Sequence, residues 1–263
     1  MIYADRDEPV MLACSLQSGS NGNCIYVETP DARLLFDAGI SAKLAQERLA
    51  FHQRRITGVD ALILSHNHSD HVRGAGAFHR KFHLPLFLTE RVLARCRESL
   101  GPLGRIEHFL PGDTLHFGDT EVVTVPTPHD GIDTVAFVVR RHGKSLGIFI
   151  DLGHRFAGIE TQIAPLDGLF LESNYDPDLL ARSNYPTWLK QRIRGPGGHL
   201  SNEEAAELVR DCAGDLQFLA LAHLSEHNNR PKLALETARD ILSSHMPITL
   251  ASRHCASDMH LLR

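Results

Sequence analysis

His66-Asn67-His68-Ser69-Asp70-His71 follows the apolar run Ala61-Leu62-Ile63-Leu64 with only Ser65 between them, and this junction decides how the chain is read. The run is short, continuous and aliphatic, as expected of a strand buried on both faces. Residues 66–71 carry three imidazoles and a carboxylate. These are the donor types that Zn²⁺, Mn²⁺ and Fe²⁺ accept. At turn spacing His66 and His68 can point to one side while Asp70 and His71 reach round to a second position. Such a geometry serves two ions better than one. A histidine-rich exposed turn is the plainer reading, and residues further along the chain weigh against it.

Three more ligand-type residues stand at the ends of apolar runs. His129 follows Val125-Pro126-Thr127-Pro128, where the prolines stop a strand and put the histidine on a turn. Asp151 ends Leu146-Gly147-Ile148-Phe149-Ile150, and His223 ends Phe218-Leu219-Ala220-Leu221-Ala222. Each alone reads equally well as a cap or a surface group. Together with the first cluster they mark the carboxyl ends of several strands, which is where sites collect in α/β sheets.

The rest of the pattern predicts strands over 11–16, 24–28 and 33–36, separated by a glycine-rich turn at 18–23, then a helix capped by Ser41 and running to about 51. A helix over 72–82, a strand over 86–88 and a helix over 90–99 follow. Strands are expected over 106–110, 121–125, 134–140 and 145–150. The last third alternates: strand 168–171, a helix through Trp188, helix 202–210, strand 216–222, helix 232–243 and strand 248–250. No low-complexity linker divides the 263 residues, so one domain over 1–263 is expected. Strands then helices, twice over, predict a four-layer αβ/βα sandwich: two mixed sheets face to face with helices outside.

Hydrophobic residues at 43% and charged residues at 22% place the chain among ordinary soluble globular proteins. A formal net charge of −5 exerts no global pull on nucleic acid or an anionic membrane, so an anionic substrate must be drawn locally. The five cysteines are scattered and form no CxxC, reading as reduced thiols of a cytoplasmic protein. Asp5, Asp7 and Glu8 stand where a signal peptide would be apolar, and no apolar window is long enough to cross a membrane. No GxGxxG follows a strand, so dinucleotide binding is not expected.

The chain resembles the metallo-β-lactamase-fold hydrolases from Leu12 to about Leu250. The resemblance rests on Leu35-Phe36-Asp37-Ala38-Gly39, the run Ser65–His71, His129, Ile150-Asp151-Leu152-Gly153-His154 and Ala222-His223-Leu224-Ser225. It implies His66, His68 and His129 as ligands of a first metal, Asp70, His71 and His223 as ligands of a second, and Asp151 as the bridge. Asp37 is implied to orient the histidine-rich loop from behind. The segments 18–24, 171–176, 198–202 and 224–229 look most like the bacterial YycJ-type branch of nuclease-like enzymes. That branch usually shows Glu where this chain has Asn67 and His227, which bears on substrate rather than on metal.

Two divalent ions are therefore expected, Zn²⁺ or Mn²⁺. Fe is less favoured, because related oxygen-reducing proteins replace the second histidine of the cluster with Glu and His68 is intact. Hydroxide held between two ions is the expected nucleophile, with Asp70 and His199 assigned to catalysis. His199, in Gly197-Gly198-His199-Leu200-Ser201, resembles the proton-donating histidine of transfer-RNA 3′-processing members of the fold; a residue preceding the Ser201 cap is the equal alternative. Lys190, Arg192 and Arg194 are candidate phosphate holders or simply a solvated helix face. His154 and Asn228 are further candidate substrate contacts. The expected function is a phosphodiesterase acting on DNA or RNA, exonuclease-like. A small cyclic or nucleotide phosphate is the alternative substrate, thioester or lactone hydrolysis is weaker, and a non-catalytic binding protein weaker still. A homodimer is compatible with the sequence.

Overall fold

A β-strand turns successive side chains to opposite faces, so a strand that is apolar at every position needs cover on both sides. The computed structural model, which describes residues 10–242 and 245–263, supplies that cover in four layers. Asp5, Asp7 and Glu8 lie outside the described residues, as does Ser243, the expected end of the last helix. The first sheet holds β1 (Met11–Gln17), β2 (Cys24–Glu28), β3 (Arg33–Phe36), β4 (Ala61–Ile63), β5 (Leu86–Leu88) and β6 (Ile106–His108) side by side in sequence order. The second begins with β7 (Thr114–Phe117), β8 (Thr120–Pro126) and β9 (Val135–Arg141). It continues through β10 (Lys144–Phe149), β11 (Gly168–Glu172), β12 (Phe218–Ala222) and β13 (Ile248–Leu250). β14 (His260–Leu262) then returns to pair with β1. In each sheet four neighbouring strands are parallel, β3 to β6 and β10 to β13.

Three apolar layers separate these sheets and their helices. Ile25 and Val27 of β2 face the second sheet, while Cys24 and Tyr26 face helices on the outer side. Those helices are α1 (Ala42–Phe51), α2 (Ser69–Val72), α3 (Ala75–Phe82) and α4 (Glu90–Leu100). Between the sheets, Phe36 and Phe137 meet with ring centroids 4.9 Å apart. Each fully buried side chain of this size contributes roughly 1.5–3 kcal/mol. On the far side lie α5 (Ile159–Ile163), α6 (Pro177–Arg182), α7 (Thr187–Arg194), α8 (Asn202–Cys212) and α9 (Pro231–Ile241) in chain order. Val138, Leu169, Leu171 and Leu219 pack with the buried faces of α5, α8 and α9.

The architecture expected from the sequence is present, with local differences. The single helix expected over 72–82 is two, broken at Arg73-Gly74. Gly74 presses on the loop after β3, where a Cβ would lie 2.1 Å from the Ile40 carbonyl oxygen. β7 and β14 were not anticipated: both are short and partly exposed, and the strand each one pairs with decides its conformation.

The loop after β3, the turn 18–23 and the histidine-rich turn converge at Gly39. A Cβ there would lie 1.6 Å from the Asp70 carbonyl oxygen, so only glycine fits without moving backbone. Gly39→Ala should lower the unfolding free energy by about 1–3 kcal/mol, read as an earlier urea midpoint at unchanged slope. Gly58→Ala, which meets only the flexible end of Arg33, should cost less.

Candidate metal centre

Three strands end alike. Asp37 follows β3, Asp151 lies just past β10 and His223 follows β12, with φ of 63°, 58° and 56°. Asp and His accept the left-handed region better than most residues, still at a cost of order 1–3 kcal/mol each. The turn breaks the pleat and brings each side chain over the carboxyl ends of the parallel strands. The histidine-rich run joins them there from the end of β4.

Asp37 organises that run. Its Oδ1 accepts from the Ser65 backbone N–H at 2.8 Å, and both its oxygens lie within 3.0 Å of the Ser65 hydroxyl. Its Oδ2 is 2.7 Å from His71 Nδ1. A carboxylate only accepts, so Nδ1 carries the proton and Nε2 of His71 faces the centre. The same logic applies to His129, whose Nδ1 donates to the Gly198 carbonyl at 2.9 Å. His66 Nδ1 lies 2.9 Å from the Ser65 hydroxyl, leaving its Nε2 inward.

The inward atoms converge on Asp151, which is 1% exposed. Its Oδ2 is 2.7 Å from His71 Nε2 and 3.6 Å from His66 Nε2. Its Oδ1 is 2.9 Å from His223 Nδ1 and 3.2 Å from His199 Nδ1. Asp70 Oδ2 lies 3.6 Å from His71 Nε2 and 3.5 Å from His223 Nε2. Ligand atoms of His66, His68 and His129 come within 4.8 Å of one another, as do those of Asp70, His71 and His223, and those of His66, His71 and Asp151. All seven residues singled out as ligands from the sequence are thus brought together, with Asp37 behind them.

This donor set fits cations. His66 Nε2, His223 Nε2 and Asp151 Oδ1 are buried with no hydrogen-bond partner among the described residues; the close imidazole N–H groups are not aimed at Oδ1. Burying unpaired polar atoms costs free energy that a cation in their midst would offset. Charge is concentrated accordingly. Burial and the adjacent His71 hold the His66 imidazole well below the usual histidine range. Burial opposes charge on His71 and His223, yet Asp37 and Asp151 raise the first, and Asp151 the second, well above it. Burial likewise opposes ionisation of Asp151, but His223 and His71 hold its carboxyl well below the usual range.

Two residues escaped the sequence reading. Glu172, fully buried at the end of β11, accepts through Oε2 from the Leu152 and Leu200 backbone N–H groups, each at 3.1 Å. Its Oε1 is 2.7 Å from His199 Nδ1 and 3.1 Å from His223 Nδ1. A charged residue closing an apolar strand was the signal that marked Asp151, and it was equally available for Glu172. Burial opposes both charges of the pair, but each partner sustains the other: Glu172 is lowered to about 2 and His199 raised to about 9. Asp130 is the second, 3.4 Å from His68 Nε2, 3.5 Å from His129 Nε2 and 2.6 Å from Arg192 Nε.

The other candidates are placed as follows. His199 stands beside Asp151 and Glu172 with its side chain 22% exposed. Of the basic run on α7, only Arg192 reaches toward the centre, through Asp130. Lys190 and Arg194 bond the carbonyls of Ala181 and Pro177. His154 is exposed and pairs through Nδ1 with the Pro196 carbonyl. Asn228 is buried, its amide against the Ser225 hydroxyl. The 18–23 segment is a tight turn, closed by Gly22 N–H to the Gly19 carbonyl, and Asn23 Nδ2 lies 3.0 Å from His71 Nε2.

The model of the β-lactamase superfamily domain matches residues 32–223. The chain belongs to the metallo-β-lactamase superfamily. Within it, the exodeoxyribonuclease YycJ of Bacillus anthracis is 32% identical over 86% of this chain and 87% of its own. The exodeoxyribonuclease WalJ of Streptococcus pneumoniae is 35% identical over 83% of each. Among solved structures, the metallo-β-lactamase fold protein YhfI of Bacillus subtilis superposes with a TM-score of 0.71 at 17% identity, covering 94% of this chain and 99% of its own. Zn²⁺-bound PqqB of Methylobacterium extorquens gives 0.72 at 16%, covering 94% and 99%. The superfamily member described here is a YycJ-like, metal-dependent hydrolase. No helix among its described residues is long and apolar enough to cross a membrane.

Asp37 touches the ligand-type residues from behind. Asp37→Asn should weaken metal affinity by roughly 10–100-fold, measured by competition with a chromogenic chelator, and excess metal should restore most of the bound fraction. Unchanged affinity would show that Asp37 does not orient the loop.

Proposed function

We propose that the chain is a phosphodiesterase of nucleic acid, acting as an exonuclease on DNA. His66, His68 and His129 would hold one divalent ion and Asp70, His71 and His223 a second, with Asp151 close to both sets. Zn²⁺ and Mn²⁺ both suit this mixture of imidazole and carboxylate. Bound there, such ions acidify water toward neutrality and neutralise charge on a phosphoryl oxygen.

The observation that carries the reading is the His199–Glu172 pair beside Asp151. A nucleotide alkoxide is a poor leaving group and needs a proton as the bond breaks. Glu172 takes His199 Nδ1, keeps the ring charged and leaves Nε2 without a protein partner among the described residues. That makes His199 the proton donor. Asp70, more exposed than Asp151, orients the attacking water. Arg192, already drawn in by Asp130, is the cation of α7 placed to meet a phosphate. Curated relatives named as exodeoxyribonucleases support DNA as the polymer. A small phosphodiester is the second reading, favoured by the net charge of −5 and by the engagement of Lys190 and Arg194 with backbone carbonyls.

Incubating the metal-loaded protein with end-labelled single- and double-stranded DNA and RNA tests the reading. Progressive shortening of DNA supports it, and turnover of bis-p-nitrophenyl phosphate alone would move the assignment to a small substrate. Asp151→Ala should lose both metals and all turnover; a variant keeping two ions and full rate would remove Asp151 from the centre. His199→Ala should slow cleavage of DNA by about 10²–10⁴-fold. It should spare bis-p-nitrophenyl phosphate, whose leaving group needs no proton, and keep its metal. Equal losses on the two substrates would end the proton-donor assignment.

A further inference from the structure

No residue of α7 is fully buried. Leu189 and Ile193 are half-buried and form its inner side, while Trp188, Gln191 and Arg192 are exposed. Residues three and four apart are neighbours on a helix, so these three share one outward face. Trp188, the only tryptophan of the chain, is 64% exposed. Among the described residues no ring or cation packs on its indole, and its N–H has no hydrogen-bond partner. One turn on, about 6 Å along the axis, Arg192 is tied to the metal centre. Its Nε lies 2.6 Å from Asp130 Oδ2, and Asp130 Oδ1 lies 3.4 Å from His68 Nε2. The exposed face of α7 therefore leads from the centre outward to a free indole.

Charge along this segment is one-sided. From Leu179 to Asn202 there is no aspartate or glutamate, against Arg182, Lys190, Arg192 and Arg194. Arg182 and Arg192 each meet one carboxylate from outside the segment, Asp178 and Asp130. Lys190 and Arg194 bond only carbonyls, which leave their charge uncancelled. Arg192 is half-exposed and uses only Nε on Asp130, so its two Nη groups remain free to meet an anion. Such charge suits any polyanion, and the indole adds a demand for a flat ring to lie on it. A nucleobase is the ring that comes joined to phosphates. Cations that follow the backbone beside an aromatic face that takes a base are the means by which single strands are held. Inside a duplex each base is already stacked on both sides and has no face to offer.

We infer that Trp188 stacks on an unpaired nucleobase of the substrate strand, next to the phosphate that Arg192 meets, and that the protein thereby engages single-stranded DNA. The inference rests on the phosphodiesterase reading for the identity of the polymer. Trp188 stands a turn of helix outward from Arg192, so it positions the strand and takes no part in the chemistry. The basic segment around it supplies the local positive charge that the acidic chain as a whole lacks.

Because Trp188 is the sole tryptophan, its fluorescence reports the contact directly. The metal-loaded protein is titrated with three probes: a phosphorothioate-linked single strand of DNA, which resists cleavage, the same strand with abasic linkers throughout, and a blunt duplex. The base-bearing strand should quench the indole, and the abasic strand, equal in charge, and the duplex should not. In anisotropy titrations of the labelled strands, Trp188→Ala should weaken binding of the base-bearing strand about 5–100-fold and leave the abasic strand unchanged. Trp188→Phe, which keeps an aromatic face, should retain most of the affinity. Equal weakening of both strands by Trp188→Ala would make Trp188 a brace of α7, and the inference falls. It falls also if no strand quenches the indole, or if the duplex quenches as fully as the single strand. Emission that shifts with protein concentration in the absence of DNA would put Trp188 against a second copy and overturn it likewise. A protein with Trp188-dependent binding that shortens no DNA keeps the stacking contact and loses the nuclease reading. One that shortens DNA while Trp188→Ala binds as the parent does keeps the nuclease reading and loses the contact.

Discussion

Asp151 is a carboxylate held almost wholly out of water, and the arrangement around it is what allows it to stay ionised. Removing a lone charge from water costs several kcal/mol even after relaxation, so it persists only with opposite charge close by. His71 and His223 supply that charge, each within 3.0 Å. They are themselves buried, and a buried imidazolium faces the same penalty. Asp37 answers it for His71, and Glu172 for His223 and His199. Acid and base alternate outward until backbone N–H groups of Ser65, Leu152 and Leu200 end the series. A change at one member is therefore felt at the next, which is why residues that touch no substrate still govern the centre.

The same necessity accounts for the backbone. A pleated strand presents each side chain to a face, and both faces here are taken by apolar layers. A polar group can be moved from those layers to the sheet ends only by leaving the pleat. The left-handed turns at Asp37, Asp151 and His223 do that within one residue. Their strain is offset by the contacts that the turned side chains then make.

Much of this was legible beforehand, and for a physical reason. Ligand-type residues in a local run, such as His66 to His71, leave a dense signal, and single ones at the ends of apolar strands, such as Asp151 and His223, leave a sparse but regular one. Glu172 obeyed the same rule and was passed over because Leu171-Glu172-Ser173-Asn174 reads as an ordinary polar turn once the strand is taken to stop at 171. Asp130 was hidden beside His129, whose signal it shares. What one chain segment cannot reveal is which partner a side chain finds across the fold. Lys190 and Arg194 look identical to Arg192 along the helix, yet only Arg192 meets a carboxylate of the centre. The strands β7 and β14 were unreadable likewise, because their conformation depends on neighbours remote in sequence.

The centre sits at the seam of the two sheets, and its donors divide between them. Asp37 and the histidine-rich run come from the first sheet; His129, Asp151, Glu172, His199 and His223 come from the second. Phe36, directly before Asp37, meets Phe137, which lies opposite Ile148 in β10 three residues short of Asp151, and this apolar contact fastens the seam. The polar donors beyond them repel as readily as they attract, since burial and the neighbouring His71 drive His66 neutral while Asp37 and Asp151 charge His71. Apolar packing thus fixes how near the two sets of donors stand, and cations bound between them would convert that enforced proximity into cohesion. Metal affinity and the stability of the inter-sheet packing become one linked quantity.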